Sequence, residues 1–226
     1  PEKIDVLLSG NMLKNAMGVG IPGTGMVGLP IAIALGAVMG RSEYGLEVIK
    51  DLTPQSLEES KEYLRTHDIS IGLKAGKCVK LYVEAVCADG TDNATVVISG
   101  SHTHFALEER NGEIVLDERK ATGPSHEDNA IKLNLRLVYD FATTAPLEEL
   151  NFMLDTQRYN MRAAELSIKG NYGHCLGKTM DRPLIHGIFG NTMFSHIISK
   201  TASACDARMG GAMIPVMSNS GSGNQG

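Results

Sequence analysis

Residues 77–116, KCVKLYVEAVCADGTDNATVVISGSHTHFALEERNGEIVL, decide the fold class of this 226-residue chain. Runs of residues that favour strands alternate here with polar and glycine-containing segments. Asp89-Gly90 and Asn111-Gly112 are dipeptides typical of tight hairpin turns. The segment therefore predicts four antiparallel strands joined by hairpins, over residues 77–88, 94–100, 102–109 and 113–116.

The flanking sequence adds one strand and several helices. The apolar run Ile4–Leu8 predicts a short buried strand, and residues 25–40 predict a helix that starts near Pro30. Apolar periodicity and capping residues predict further helices at 56–66 with Ser56 as cap, 131–143, 146–158, 161–169, and 184–205 with a break at Gly190. The expected fold is α+β: a small antiparallel sheet flanked by helices, with a glycine-loop helix and the sheet in residues 1–129 and a mostly helical part in residues 130–226.

Charge and hydropathy exclude two classes of function. The 26 acidic and 21 basic residues give a net charge of −5, which argues against a nucleic-acid surface built from clustered Lys and Arg. The longest apolar run, Met26–Met39, is too short for a membrane span and contains glycine. No signal peptide is visible, so a cytoplasmic location is expected. Because the chain opens at Pro1 rather than Met, we expect its natural N-terminus to be missing.

The four cysteines are scattered and form no Cys-x-x-Cys pair. They lie at positions 78, 87, 175 and 205. Free thiols in a packed interior are one interpretation for a chain of this composition. Ligation of a metal or an iron–sulfur cluster is the other, and the spacing of the cysteines gives it no support.

A glycine-rich segment, NMLKNAMGVGIPGTGMVG at residues 11–28, could bind an anion, and residues 11–25 of it are predicted to form a polar loop. Exposed backbone N–H groups before a helix attract negative charge, and Lys14 could add a cation and Thr24 a hydroxyl group. The candidate ligand-binding residues here are Lys14, Asn15, Gly23, Thr24 and Gly25. A tight turn beside a packed helix is the alternative. A dinucleotide-binding fold is disfavoured, because Gly18-x-Gly20-x-x-Gly23 lies well after the preceding strand.

Two further segments carry side chains suited to substrate binding. In SGSHTH, residues 99–104, a continuous strand would place His102 and His104 on one face, with Thr103 beside them. They could hydrogen-bond a substrate, be ordinary strand histidines, or hold a metal, although no third ligand is identifiable. In TASACDARMGG, residues 201–211, Asp206 could face an ammonium group and Arg208 could hold a carboxylate through two parallel hydrogen bonds. The alternative is an Asp–Arg pair at a helix end.

Three strings in this chain resemble the L-cysteine desulfidase family, whose members are related to serine dehydratase alpha chains. They are NMLKNAMGVGIPGTGMVGLPIAIA (11–34), SACDARMGG (203–211) and PVMSNSGSGNQG (215–226), in the family's order and near its spacing. The resemblance implies a lyase that converts L-cysteine and water to pyruvate, ammonia and sulfide, using a [4Fe-4S] cluster as Lewis acid. L-serine deamination, or a glycine-loop module that binds an anion or nucleotide without catalysis, are the alternatives.

The resemblance also implies that this chain is the central part of a larger enzyme and is inactive alone. The family's Gly-Cys-Thr-Glu-Pro motif and its cysteine-containing C-terminal half do not occur here, so the cluster ligands are expected outside this sequence and no metal ligand is assigned within it. The expected partner is a small amino-acid substrate, with no nucleic acid or membrane and with a homo-oligomer possible.

The chemistry of such a lyase suggests roles for the candidate residues. Catalytic roles are assigned to Lys14, His102 and Arg208. Substrate contacts are assigned to Asn15, Gly23, Thr24, Gly25, Thr103, Asp206, Asn219, Ser220 and Asn224. We also expect the glycine clusters at 18–28 and 218–226 to line one cleft, because both concentrate bare backbone N–H groups.

Overall fold

The computed structural model describes residues 1–119 and 132–217 of the chain. These residues fall into two compact units. The sheet unit contains residues 1–19 and the described part of 27–128, whereas the helical unit contains residues 20–26 and the described part of 129–226. The glycine-rich loop at 20–26 therefore belongs to the same unit as the C-terminal helices.

The sheet unit is built on six strands in the order β2-β1-β3-β4-β5-β6. Their bounds are Lys3–Leu8 (β1), Asp68–Leu73 (β2), Tyr82–Asp89 (β3), Asp92–Ser99 (β4), Phe105–Arg110 (β5) and Glu113–Asp117 (β6). The four predicted hairpin strands are confirmed as β3 to β6, all antiparallel. The sheet is larger than expected and mixed, because β2 was not predicted and pairs in parallel with β1. The α+β class is confirmed.

Two hairpin turns follow directly from the sequence. Asp89 pairs with Asp92, which leaves Gly90 in the loop with φ +56°. Arg110 pairs with Glu113, and the two residues between them, Asn111 and Gly112, both have positive φ, as a type I′ turn requires.

Three helices accompany the sheet: α1 (Gly10–Ala16), α2 (Leu29–Met39) and α3 (Pro54–Thr66), with a short 3₁₀ segment at Ser42–Glu47. The core forms where Ile4, Val6 and Leu8, alternate residues of β1, pack against side chains of α1, α2 and α3. Burial of each such side chain contributes about 1.5–3 kcal/mol. Helix α2 starts at Leu29, in agreement with the prediction of a start near Pro30.

Two predictions in this region are wrong. Residues 11–16 were expected in a loop, but Ser9 caps a helix there by accepting a hydrogen bond from Met12 N at 3.3 Å. The cap of α3 is Thr53 rather than Ser56, and Ser56 is its capping-box partner three residues on. In both places a hydroxyl side chain satisfies an N–H of the first helical turn.

The helical unit contains six helices among its described residues: α4 (Leu135–Thr144), α5 (Leu147–Leu150), α6 (Met153–Lys169), α7 (Leu176–Met180), α8 (Pro183–Phe189) and α9 (Met193–Met209). The predicted helices at 146–158 and 161–169 are wrong in their division: α5 ends at Leu150, and α6 runs without a break from Met153 to Lys169, across the predicted gap at 159–160. Helix α7 was not predicted. The break at Gly190 is confirmed: Gly190 has φ +78° and Thr192 caps α9.

Small side chains let the long helices approach closely. Helix α9 buries Ser195, Ser199, Ser203 and Ala207 at four-residue spacing, so they lie on one face of the helix. Helix α6 in turn buries Ala163, Ala164 and Ser167. Within the two described segments, the helices are all too short or too polar to cross a bilayer.

Candidate functional site

Asp206, near the end of α9, holds the loop that precedes α7. Its side chain is 7% exposed, and its two carboxylate oxygens accept hydrogen bonds from His174 N and Gly177 N, each at 3.1 Å. Gly173, with φ +54°, lies so close that a Cβ there would be 2.8 Å from Asp206 Oδ1. Asp206 therefore stabilises the backbone around the end of α9.

The glycine-rich loop packs onto the same end of α9. Gly20 N donates to Met209 O at 2.8 Å, and Gly23 N donates to Gly211 O at 3.4 Å. A Cβ on Gly20 would lie 2.4 Å from the carbonyl carbon of Gly210, so only glycine permits this approach. Two of the three strings that resemble the L-cysteine desulfidase family, 11–34 and 203–211, therefore contact each other through backbone atoms.

The interior of this loop is hydrogen-bonded to itself. Thr24 is buried, and its hydroxyl group donates to Ile21 O at 2.8 Å and accepts from Met26 N at 2.9 Å. Ile21 N also donates to Met26 O at 2.9 Å. The loop is therefore a tight turn in which several of the N–H groups expected to bind an anion already have partners. Gly23 and Gly25 remain exposed.

Arg208 lies in the last turn of α9 and is exposed. A cation is favoured at this position because the carbonyl end of a helix carries partial negative charge. Within the part of the chain that the structure describes, no ion pair joins Arg208 to Asp206, so the predicted alternative of an Asp–Arg pair is not observed. Its Nη1 lies 3.7 Å from Met209 Sδ, and the residue as a whole is exposed.

The other predicted residues of the described chain belong to the sheet unit. Lys14 and Asn15 are exposed on α1. His102 and Thr103 are also exposed, but the prediction that a strand places His102 and His104 on one face is wrong. Gly100, with φ +82°, ends β4, and residues 100–104 form a turn closed by Ser99 N donating to His104 O at 3.2 Å.

His104 is fixed by hydrogen bonds to both ring nitrogens. Nδ1 lies 2.8 Å from Ser99 O, which can only accept, and Nε2 lies 3.0 Å from Glu118 Oε2. The hydrogen bond to the Ser99 carbonyl, and then the Glu118 carboxylate, raise the pKa of His104 above its ordinary value. When the imidazole is protonated, both ring nitrogens donate in this arrangement and neither can bind a metal.

Replacing Glu118 by Gln is expected to lower the pKa of His104, because it removes the carboxylate partner of Nε2. A raised folded-state pKa stabilises the fold below the unfolded-state pKa of about 6.5, and this contribution is lost as the pH rises through the folded-state value. Glu118→Gln should therefore destabilise the chain in mildly acidic buffer and leave it unchanged at pH 9. NMR titration of the imidazole tests this, with the exposed Glu113→Gln as control; an unmoved midpoint would contradict it.

A pocket of about 290 Å³ in the sheet unit was missed by sequence reasoning. Lys74 and Tyr82 line it, and both donate hydrogen bonds to Glu84 Oε2, Tyr82 at 2.5 Å. Burial alone would raise the pKa of Glu84, but these hydrogen bonds outweigh it and the pKa is lowered, while that of Lys74 is raised. Both groups are therefore charged and mutually paired rather than poised to transfer protons. The i, i+2 spacing of Tyr82 and Glu84 on β3 was the available signal.

The start of the third string, residues 215–217, is hydrogen-bonded to Asn160 on α6. Asn160 Nδ2 donates to Met217 O at 2.8 Å, and Asn160 Oδ1 accepts from Met217 N at 2.9 Å. This pair of hydrogen bonds holds residues 215–217 against the helix. Asn219, Ser220 and Asn224, and the predicted approach of residues 218–226 to the first glycine cluster, lie outside the described residues.

The cysteines do not form a metal site with their described neighbours. None of the four is in a disulfide, and Cys78 is exposed while the others are partly buried. Burial raises the pKa of Cys87 and of Cys205, which disfavours the thiolate form that ligates iron. Among residues 1–119 and 132–217, no three Cys, His, Asp or Glu side chains converge to hold a metal. These residues therefore do not fit the ligand set of an iron–sulfur cluster.

Comparison with known proteins matches most of the chain to one family and the whole chain to several relatives. Residues 43–226 match the serine dehydratase alpha chain family. Proteins named UPF0597 from Bacteroides thetaiotaomicron and Porphyromonas gingivalis are 57% and 44% identical to the chain across its whole length. A third, from Chromobacterium violaceum, is 41% identical. The chain covers 53%, 54% and 53% of these proteins, and so spans about half the length of the curated relatives it matches. No solved structure matches.

Proposed function

Since the chain belongs to the serine dehydratase alpha chain family, we propose that it forms part of a cytoplasmic lyase that acts on L-cysteine. The supporting observation is the backbone contact between the glycine loop and the end of α9, which brings together two strings that resemble cysteine desulfidases. The exposed Arg208 directly precedes Met209 and Gly210 in the sequence, and the glycine loop packs against the backbone of these two residues.

The reaction sets definite demands on the protein. A base removes the proton on Cα, the Cβ–S bond breaks with its electron pair leaving on sulfur, and 2-aminoacrylate forms. Water then converts 2-aminoacrylate to pyruvate and ammonia. The substrate carboxylate must be held so that the Cα–H bond faces the base. We propose that a [4Fe-4S] cluster, held by residues outside this chain, supplies Lewis-acid chemistry in the full-length enzyme.

Arg208 is the residue of this chain best suited to the carboxylate. Its planar guanidinium offers parallel N–H donors that match two carboxylate oxygens. The backbone beneath it is fixed by Asp206 and by the docked loop, so the guanidinium projects from a rigid support. Thr24 and Asp206 contribute through the backbone they hold rather than by contact with a ligand. Gly23 and Gly25, in the same unit as Arg208, are exposed and remain proposed contacts. Lys14, Asn15, His102 and Thr103 are exposed on the sheet unit, and the roles proposed for them stay predictions.

L-serine is the second candidate substrate, because the matching family is described as a serine dehydratase chain. The two are distinguished by pyruvate release from the full-length Bacteroides thetaiotaomicron relative after anaerobic reconstitution with iron and sulfide. We expect kcat/KM for L-cysteine to exceed that for L-serine. The reverse order would identify a serine dehydratase, and no pyruvate from either amino acid would refute the lyase proposal.

A further inference from the structure

The stretch from residue 133 to residue 154 exposes an unusual amount of apolar surface. Ten large apolar side chains in these 22 residues are at least 45% exposed. The most exposed are Leu135 at 85%, Leu147 at 77% and Leu133 at 75%. Isolated exposed apolar residues are normal on a protein surface, but a continuous stretch of this kind marks an interaction site.

The helices of this stretch have little support from the rest of the described chain. Neither α4 nor α5 packs extensively against another described helix or strand, whereas α6 and α9 pack closely together. Helix α4 is amphipathic, with Asn134 as its cap and one surface ion pair, Arg136–Asp140 at 2.8 Å. A helix of ten residues is marginal in isolation, so α4 needs a partner surface to be stable.

We propose that residues 133–154 are the docking surface for the polypeptide that the relatives carry outside the matched region. The matched region makes up only 53% of the relative's own length. Nearly half of that protein therefore lies outside the matched region and can supply a covering surface. An apolar surface of this extent resembles a protein core divided in two, as permanent interfaces do. The proposal does not depend on which reaction the enzyme performs.

Charge argues against a membrane as the occupant. Residues 132–154 contain two basic side chains, Lys132 and Arg136, against three acidic ones, Asp140, Glu148 and Glu149. A helix that binds an anionic lipid surface carries an excess of Lys and Arg on its polar face. The stretch lacks this excess, so a protein surface is the better match.

The test compares one cysteine probe in two proteins. Leu135→Cys is introduced into the 226-residue chain and into a chimera in which this chain replaces the matched region of the Bacteroides thetaiotaomicron relative. Alkylation of the new thiol is followed by peptide mass spectrometry. We expect the chimera to react at least about tenfold more slowly than the isolated chain, because a covered site reacts only when it opens. Glu58→Cys, on the polar surface of α3, serves as the control and should react alike in both.

Equal rates for Leu135→Cys in the two proteins would overturn the proposal. Protection already present in the isolated chain, and lost on dilution, would assign the surface to a second copy of the chain instead. Protection of the isolated chain only in the presence of phosphatidylglycerol vesicles would assign it to lipid. Should the chimera fail to fold, hydrogen exchange replaces it. The aligned segment of the unmodified relative should then exchange more slowly than residues 133–154 of this chain, and equal exchange would overturn the proposal.

Discussion

Gly177→Ala is expected to destabilise the helical unit strongly, because the added methyl group would overlap helix α9. Gly177, on α7, faces α9, and a Cβ there would lie 2.1 Å from Ser203 Oγ, 2.3 Å from Ser203 N and 2.5 Å from Ser199 O. Two of these atoms belong to the α9 backbone, so a rotamer change cannot relieve the overlap. Separating the helices would also break the hydrogen bonds from Gly177 N to Asp206 and from Ser199 Oγ to Gly177 O.

The expected loss is about 3 kcal/mol, at the upper end for overpacking, and it exceeds the gain of up to about 1 kcal/mol that alanine brings to a helix. Urea unfolding followed by circular dichroism measures it. Gly187→Ala on α8 is the matched control, because a Cβ at Gly187 would meet nothing within 4 Å. That variant should be as stable as the parent or more so. A Gly177→Ala midpoint equal to that of the control would show that α7 and α9 are not packed as described.

Arg208→Lys is expected to reduce kcat/KM for L-cysteine by about 10- to 150-fold, the equivalent of one charge-assisted hydrogen bond. Lysine keeps the positive charge but loses the planar pair of N–H donors that matches a carboxylate. Because Arg208 is exposed, its replacement should leave the free energy of unfolding nearly unchanged. The chimera described above is the protein to test, with rates corrected for the folded fraction and the cluster content.

Arg162→Lys is the control for this measurement. Arg162 is exposed on α6 in the same unit, so its replacement makes the same chemical change on a surface with no proposed role. Its kcat/KM should equal that of the parent. Equal kcat/KM for Arg208→Lys and the parent would remove Arg208 from the proposed site, and a fall in stability of Arg208→Lys would favour a structural role.

The parts of the fold that sequence predicts are those fixed by local chemistry. Asn111-Gly112 specifies its turn because both residues tolerate positive φ, and Gly190 interrupts a helix for the same reason. Strand β2 depends on pairing with β1 across the chain, from Lys3 to Asp68, and no local pattern reveals that partner. Helix α1 was missed because the glycines after it outweighed the cap at Ser9.

The candidate site was only partly predictable, because its contacts join distant segments. Asp206 and Arg208 were identified together from one short string, but burial separates their roles: Asp206 binds the backbone around residues 174–177, and Arg208 faces solvent. The fit of Gly20 against Gly210 joins residues 190 positions apart. The interpretation of His102 and His104 required knowing that β5 starts at Phe105, which the turn at Gly100 decides.

The stoichiometry of products from L-cysteine tests the proposed lyase activity most directly. The full-length Bacteroides thetaiotaomicron relative, reconstituted anaerobically with iron and sulfide and then desalted, is incubated with L-cysteine, and pyruvate, ammonia and newly released sulfide are each quantified. We expect the three products in equal amounts, each increasing with the enzyme concentration. Sulfide without pyruvate, or no product at all, would contradict the proposal that this chain forms part of a lyase acting on L-cysteine.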